Sequence, residues 1–306
     1  MFKTILRKIR PNPLDKLLKN AKKKSFKNIL LFWNRGVGDI PLGLSALVHR
    51  INSFLPNAKI SFLVRDDLKE GFLLLPNVDV HKASNWVRGE KYKSIDEILK
   101  IGKNLKQFDL IIDYPDPTYW VKWQLGKFVP KLNYNLNSIN IESSYMKILE
   151  KNVDKKIIGI QPSTETTHGY FTRNWPVYKF QETFKILEEK NYFILLFGFE
   201  KGTKYDGENI LDLRGKTSLL ELLCLIKKYC KYLLLPDSGI LSIVYFFNEN
   251  FPINIVSLWG DPNQGILKQN VKSPNALLKN NAIIAKDKKI NKISVTEVLK
   301  KIDGNI

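Results

Sequence analysis

The sequence predicts an α/β protein made of two doubly wound domains that follow one another along the chain. Three features carry that expectation. Short apolar runs alternate with longer segments whose apolar residues recur at helical spacing. Complete strand–turn–helix–strand units stand at residues 28–64 and again at 232–259, and each implies parallel strands joined by a right-handed crossover. A length of 306 residues is enough for two cores of ordinary size.

In the first domain, residues 28–33 (NILLFW) form an apolar run that reads as a buried strand, followed by the loop Asn34-Arg35-Gly36-Val37-Gly38-Asp39. Residues 40–55 read as a helix with Leu42, Leu44, Leu47, Val48 and Ile51 on its buried side, and 59–64 as the next strand. A short strand is expected at 78–80, a helix at 95–106 and a strand at 110–113. Residues 114–140 resist assignment, because Pro115, Pro117 and Pro130 interrupt them while Trp120 and Trp123 add bulk. A linking helix is expected at 143–151.

Alternation resumes with a strand at 157–160, a long polar loop at 161–174 and a helix that opens at Trp175-Pro176 and runs to 190. Strands follow at 192–197 and 210–213, then a helix at 218–228 capped by Thr217 or Ser218. The apolar run 232–235, the helix 240–247 and the run 253–259 complete the second strand–helix–strand unit. A strand near 282–285 and a helix at 295–302 close the chain. The expected organisation is a basic arm at 1–27, a first domain at 28–150 and a second at 151–306.

Hydrophobic content of 44% places the chain among globular rather than disordered proteins. No window reaches the roughly eighteen uninterrupted apolar residues of a membrane span. Pro11, Asn12, Pro13 and Asp15 stand where the apolar core of a secretory signal would begin, so no such signal is expected. Cys224 and Cys230, six residues apart within and just past one expected helix, fall on different faces, which points to reduced thiols and a cytosolic chain.

The net charge of +19 admits three kinds of partner: nucleic acid, an anionic membrane surface, or an anionic substrate. Nucleic acid is the least expected, since no recognised module and no basic helix with base-reading residues is present. Between Met1 and Lys27 only Asp15 opposes the basic residues. Phe2, Ile5, Leu6, Ile9, Leu14, Leu17 and Leu18 supply apolar partners there, so the arm reads as amphipathic and able to rest on anionic headgroups. The plainer alternative is a solvated terminus.

Chemistry is expected at three loops. Asp237-Ser238-Gly239 follows an apolar strand and opens a helix, so free amides and the positive helix end meet at a sheet edge, an arrangement suited to a phosphate. An ordinary capped turn has the same look. The loop 161–176 opens on the same edge, with Ser163 and Thr164 as hydroxyl donors and Arg173 as a planar cation. In Arg35-Gly36-Val37-Gly38-Asp39 the glycines permit close approach, and Asp39 sits at the mouth of a helix. Pro41 stands where the third glycine of a dinucleotide fingerprint belongs, and no G-x-x-x-x-G-K-[ST] is present. His49, His81 and His168 have no carboxylate or cysteine at ligand spacing, so no metal site is expected.

Taken together, Arg35-Gly36-Val37-Gly38-Asp39, Arg173-Asn174-Trp175-Pro176, Gly215-Lys216-Thr217-Ser218-Leu219 and Asp237-Ser238-Gly239 fall in a familiar order and spacing. From about Asn28 onward the chain resembles the lipopolysaccharide heptosyltransferase family, glycosyltransferase family 9. Gly260-Asp261-Pro262 is similar to that family's closing loop. The resemblance implies a GT-B fold: two Rossmann-like domains facing across a cleft, with the last helix free to pack back on the first domain.

It further implies a metal-independent, inverting transfer of heptose from ADP-heptose, without a cofactor. The acceptor would be a lipopolysaccharide core or a related anionic glycolipid, and the enzyme would sit peripherally on the cytoplasmic face of the inner membrane. Asp39 matches the general base, and Arg35, Gly36 and Gly38 belong to the acceptor-side loop. Ser163, Thr164 and Arg173 match the diphosphate contacts, although the family usually has lysine in the place of Arg173. Glu200 resembles the ribose-binding glutamate, and Asp237, Ser238 and Gly239 match the donor-site turn. One departure stands beside that turn. Ser242 occupies the histidine position of D-[ST]-G-x-x-H, and it can donate a hydrogen bond but carry no charge. A silent nucleotide-sugar-binding protein of the same fold is therefore the leading alternative, ahead of a basic nucleic-acid-binding protein.

Overall fold

The computed structural model describes residues 12–84, 86–90, 105–164, 167–168, 171–199 and 202–304. The chain divides into two compact units, Met1–Leu132 and Asn133–Ile306.

The first unit opens with α1, Pro13–Lys23, whose Asn12 cap accepts from the Leu14 amide at 3.0 Å. Leu14 and Leu18 are fully buried where α1 packs on α2, Ser45–Phe54. Asp15 holds the two helices together through a forked pair with Arg50, at 2.9 Å to Nε and 2.6 Å to Nη2. The apolar side of the expected arm is thus spent inside the unit over its described residues. Lys16, Lys19, Lys22, Lys23 and Lys24 face solvent.

The sheet of this unit is wholly parallel in the order β3-β2-β1-β4, with β1 Asn28–Trp33, β2 Lys59–Arg65, β3 Val78–Ala83 and β4 Leu110–Ile112. Residues 29–33 of β1 are all buried, as a parallel strand covered on both faces requires. The Asp109 carboxylate accepts from the Lys27 and Asn28 amides at 2.7 and 2.8 Å, which clips the start of β4 to β1 and lowers its pKa.

The helix expected over 40–55 proves to be two pieces. Ile40–Leu44 is a π-helical turn in which the Ser45 amide reaches back to Ile40 O, and only then does α2 begin. Pro41 has no N–H to offer an α-turn, and Gly43 is pressed on Pro117 so closely that a Cβ would lie 2.8 Å from the proline Cβ. The helix expected at 95–106 lies outside the described residues apart from a 3-10 turn, Leu105–Gln107.

The second unit includes residues 133–150, because Cys224 Sγ donates to Leu136 O at 3.6 Å and Tyr229 Oη to Glu150 Oε1 at 3.4 Å. Its sheet has six parallel strands in the order β12-β11-β10-β5-β8-β9. These are β5 Lys156–Ile160, β8 Tyr192–Leu196, β9 Ile210–Asp212, β10 Tyr232–Pro236, β11 Ile253–Trp259 and β12 Leu278–Ile284. Counted from β5 as one, the order is 6-5-4-1-2-3, the doubly wound dinucleotide-fold order, and its switch point lies between β5 and β10. A two-residue hairpin, β6 Thr167–His168 with β7 Phe171–Thr172, interrupts the loop after β5, where no strand was expected.

After α3 Lys69–Leu73, α4 Pro117–Trp120 and α5 Ser143–Glu150, the crossover helices are α6 Val177–Glu189, α7 Leu219–Tyr229 and α8 Gly239–Phe246, and the last helix, α10, is Val295–Asp303. Between the last two, Gly265–Gln269 forms the short α9. Ser218 and Glu221 close a capping box on α7. Phe180, Phe184 and Leu187 of α6 share one core cluster with Ile158, Ile194 and, from α10, Val295, Val298 and Ile302. The last helix therefore packs within its own unit, seated by Trp175 Nε1 donating to Ile293 O at 3.0 Å. Both cysteines are free, and burial pushes the Cys230 thiol up to about 12. Among the described residues no helix is long and apolar enough to cross a membrane.

Candidate functional site

In a doubly wound sheet, ligands bind outside the carboxyl ends of the strands at the switch point. In the second unit that point is framed by the loops after β5 and β10, and the two are hydrogen-bonded to each other. Ser238 Oγ donates to Gln161 Oε1 at 2.8 Å, and Gln161 Nε2 donates to Ser163 O at 3.0 Å. Asn174 closes the same loop from its far end, accepting from Thr164 N at 2.8 Å and donating to Thr164 O at 3.1 Å.

Arg173 lies across these loops. Its Nε is 3.2 Å from Asp237 Oδ2, and its Nη2 donates to Gln264 Oε1 at 3.0 Å. Asp237 is buried, so its charge is directed at the guanidinium rather than at solvent. The loop after β11 joins the cluster through Gly265, at φ +47°, where a Cβ would stand 2.5 Å from Asp237 Oδ1 and 2.8 Å from the Trp259 ring. Asp261 holds that loop by accepting from Asn263 N at 2.9 Å and from Lys288 Nζ at 3.0 Å. The Asn263 amide, and then Lys288, hold the Asp261 carboxyl below the usual range.

The two serines of this turn both donate within the protein. Ser238 caps α8, accepting from Leu241 N at 3.2 Å, and its own proton goes to Gln161. Ser242 is buried and donates to Ser238 O at 3.1 Å. Each hydroxyl has a single proton, so both donors are committed to the protein. The Gly239 and Ile240 amides, by contrast, have no acceptor among the described residues, and they present the positive end of α8. Ser163 is exposed and Thr164 half-buried beside them in the β5 loop.

Farther along the same edge, Gly215 N donates to Gly198 O at 2.9 Å, which joins the ends of β8 and β9. Arg214 is buried and forks onto Asp212 at 2.9 and 2.8 Å beneath the Tyr205 ring. Burial pushes the Asp212 carboxyl up, but the bonds from Arg214 outweigh it and hold the pKa below the usual range. Glu200 lies outside the described residues.

In the first unit, the loop after β1 meets its own switch point, between β1 and β4. Asp39 is half-buried at the start of the π-turn, and its amide donates to Gly36 O at 3.3 Å. Its Oδ2 and the Arg88 Nη2 lie 3.5 and 3.7 Å from where a Gly36 Cβ would be, so a carboxylate and a guanidinium flank that glycine. Arg35 sits between the Trp33 and Tyr114 rings, with centroids at 5.6 and 4.8 Å, and donates to Tyr114 Oη at 2.5 Å. From the end of β2, Arg65 donates to Asn34 O at 2.5 Å and forks onto Asp67, bracing the loop from behind. Gly38 follows the loop's midpoint and accepts from Leu42 N at 3.3 Å. Among the described residues no three His, Cys, Asp or Glu gather as a metal-ligand set.

Thus Thr164, Arg173, Asp237, Ser238, Gly239 and Ser242 share one sheet edge, while Arg35, Gly36, Gly38 and Asp39 share another in their own unit. Sequence reasoning missed Gln264 and Gly265, although Gly260-Asp261-Pro262 marked the loop that carries them. It gave Gln161 no role, and nothing local signalled Arg88 or Tyr114.

The profile of glycosyltransferase family 9 (heptosyltransferase) matches residues 87–244. Among solved structures, the glycosyl transferase family 9 protein of Veillonella parvula DSM 2008 is 15% identical with a TM-score of 0.57, over 91% of this chain and 96% of that one. The ADP-heptose lipopolysaccharide heptosyltransferase II of E. coli is 15% identical with a TM-score of 0.54, over 90% and 98%. The iron-containing dodecameric glycosyltransferase TibC of enterotoxigenic E. coli H10407 is 10% identical with a TM-score of 0.50, over 91% and 76%. No curated protein matches the chain. At such identities the likeness is one of fold, and that fold is GT-B: two Rossmann-like units in succession.

Proposed function

The chain belongs to glycosyltransferase family 9, and we propose that it transfers heptose from ADP-heptose to a lipopolysaccharide core or a related anionic glycolipid. That it is a glycosyltransferase follows from the family. The choice of donor is supported by the family's description as heptosyltransferases and by the ADP-heptose enzyme among its fold relatives. One observation carries the reading: Arg173, the Thr164 loop and the open end of α8 gather at the switch point of the second sheet. A cation, unpaired amides and a helix N-terminus are what a departing diphosphate needs.

In the proposed reaction Asp39 accepts the proton of an acceptor hydroxyl. The hydroxyl oxygen bonds to the anomeric carbon from the face opposite the diphosphate. The bond from that carbon to the diphosphate oxygen breaks, ADP departs with the electron pair, and the configuration inverts. The guanidinium of Arg173 and the Gly239 and Ile240 amides stabilise the charge gathering on ADP, so the scheme calls for no metal and no cofactor. Glu200 is assigned to the ribose hydroxyls, and Arg35, Gly36 and Gly38 to the acceptor side. The solvent-facing lysines of α1 draw the enzyme to an anionic membrane surface on the cytoplasmic side.

A second reading has one observation in its favour. Ser242 stands where the family carries histidine, and its proton is spent on Ser238 O, so no side-chain charge is supplied there. A protein that binds nucleotide sugar without turnover fits that feature. The two readings separate on wild-type turnover, and Asp39→Asn tests the mechanism. General-base assistance is worth about 10²–10⁴-fold, so the variant is expected to keep donor affinity and lose transfer by that factor. Near-normal turnover in the variant removes Asp39 from the mechanism, and no turnover in the wild type with any acceptor selects the silent reading.

A further inference from the structure

We propose that Gln264 is a positioning residue for Arg173, and that together with Asp237 it fixes this cation in the orientation that selects a diphosphate over a bare nucleoside. The inference rests on the preceding reading that a nucleoside diphosphate occupies this sheet edge.

An arginine side chain carries about 2 kcal/mol of rotamer entropy, so a lone guanidinium contributes little until something holds it. Asp237 Oδ2 stands 3.2 Å from Arg173 Nε as its charge partner, without the alignment of an N–H hydrogen bond. An ion pair fixes distance more than orientation, whereas a hydrogen bond fixes both. Gln264 Oε1 takes Nη2 at 3.0 Å and supplies a second fixed point on a different element. A guanidinium held along one edge can present another, which an ammonium cannot do.

The backbone of the Gln264 loop is shaped to this purpose. Gly265 adopts φ +47°, and its Cα passes under Asp237, where any Cβ would be 2.5 Å from Oδ1. Asp237 is therefore located from two sides, by Arg173 at Oδ2 and by the Gly265 backbone at Oδ1. Asp261 ties the segment down through Asn263 and Lys288. Charge also explains why the second anchor is an amide. Asp237 already offsets one positive charge; a second carboxylate would leave the cluster net negative and repel a diphosphate. Glutamine gives the same oxygen without the charge.

The test compares binding of ADP and of adenosine to the whole chain by calorimetric titration. Losing one of the two anchors loosens the cation without removing its charge, an effect expected to be about two- to tenfold, the scale of one ordinary hydrogen bond. Gln264→Leu is therefore expected to weaken ADP by that factor and leave adenosine unchanged. Gln264→Glu keeps the oxygen but adds charge, and is expected to weaken ADP further, again sparing adenosine. In an Arg173→Lys background, Gln264→Leu is expected to have no additional effect, because the partner it positions is gone. A role limited to holding the loop would move both ligands together and would persist in that background. An unchanged ADP-to-adenosine ratio in both variants, or full additivity with Arg173→Lys, overturns the proposal and leaves the nucleotide-sugar reading standing. A wild type that binds no nucleoside diphosphate overturns both.

Discussion

Gly265→Ala is a single added methyl whose cost can be worked from the structure. Two contributions add. A residue other than glycine held in the left-handed region costs about 1–2 kcal/mol. The new Cβ would lie 2.5 Å from Asp237 Oδ1 and 2.8–2.9 Å from the Trp259 ring. Neither neighbour yields easily: Trp259 is fully buried with Nε1 bonded to Ser257 Oγ at 2.8 Å, and Asp237 is tied to Arg173. Relieving such overpacking costs about 1–3 kcal/mol. The expected loss is thus about 2–5 kcal/mol in urea-unfolding experiments, with ADP affinity falling about tenfold as Asp237 is displaced from Arg173. Gly89→Ala is the control, since Gly89 has φ +78° with no atom of the described residues within 4 Å of its Cβ position. It should show the conformational cost alone. If Gly265→Ala costs no more than Gly89→Ala and leaves ADP affinity intact, the account of the three-loop cluster is wrong.

The Asp212–Arg214 fork gives a pH-dependent expectation. The folded pKa of Asp212 is below its ordinary 3.8, so this stabilisation is fully present above that value and is lost as pH falls through the lower folded one. Asp212→Asn leaves the Arg214 charge buried, and is expected to cost about 2–3 kcal/mol at neutral pH, somewhat under a fully buried pair because Asp212 is partly exposed. Urea midpoints followed from neutral into acid should show the wild type and variant converging; parallel curves would refute the assignment. The proposed membrane contact rests on the lysine face of α1, with Leu14 and Leu18 already buried. Co-sedimentation with anionic vesicles should therefore weaken with salt and with Lys16→Glu/Lys19→Glu/Lys23→Glu, whereas binding indifferent to both would exclude an electrostatic mode.

The parallel strands were legible because strands covered on both faces read as largely apolar runs, as in β1, β10 and, despite Asn254 and Ser257, β11. Edge strands were not. β12 pairs with β11 over its full length, yet Lys279, Asn280 and Asn281 hide it, so only its last residues read as strand. In β3, Asp79, His81 and Lys82 had the same effect. Pro41 was visible, but the π-turn also depends on Gly43 meeting Pro117, a contact between residues far apart in sequence. At the candidate site, the Asp237 turn was legible as a break between a buried strand and a helix. The direction of its hydroxyls was not, since Ser238 turns to Gln161 and Ser242 to its own helix. Gln264 is polar and local sequence assigns it nothing. Its role emerges only when the chain brings it to Arg173.

Titration of ADP into the wild type and into Arg173→Ala tests the central claim most directly. The account expects saturable binding by the wild type and a loss of about tenfold or more in the variant, the worth of a charge-assisted contact to phosphate. Equal affinities in the two proteins, or no binding by either, would contradict it.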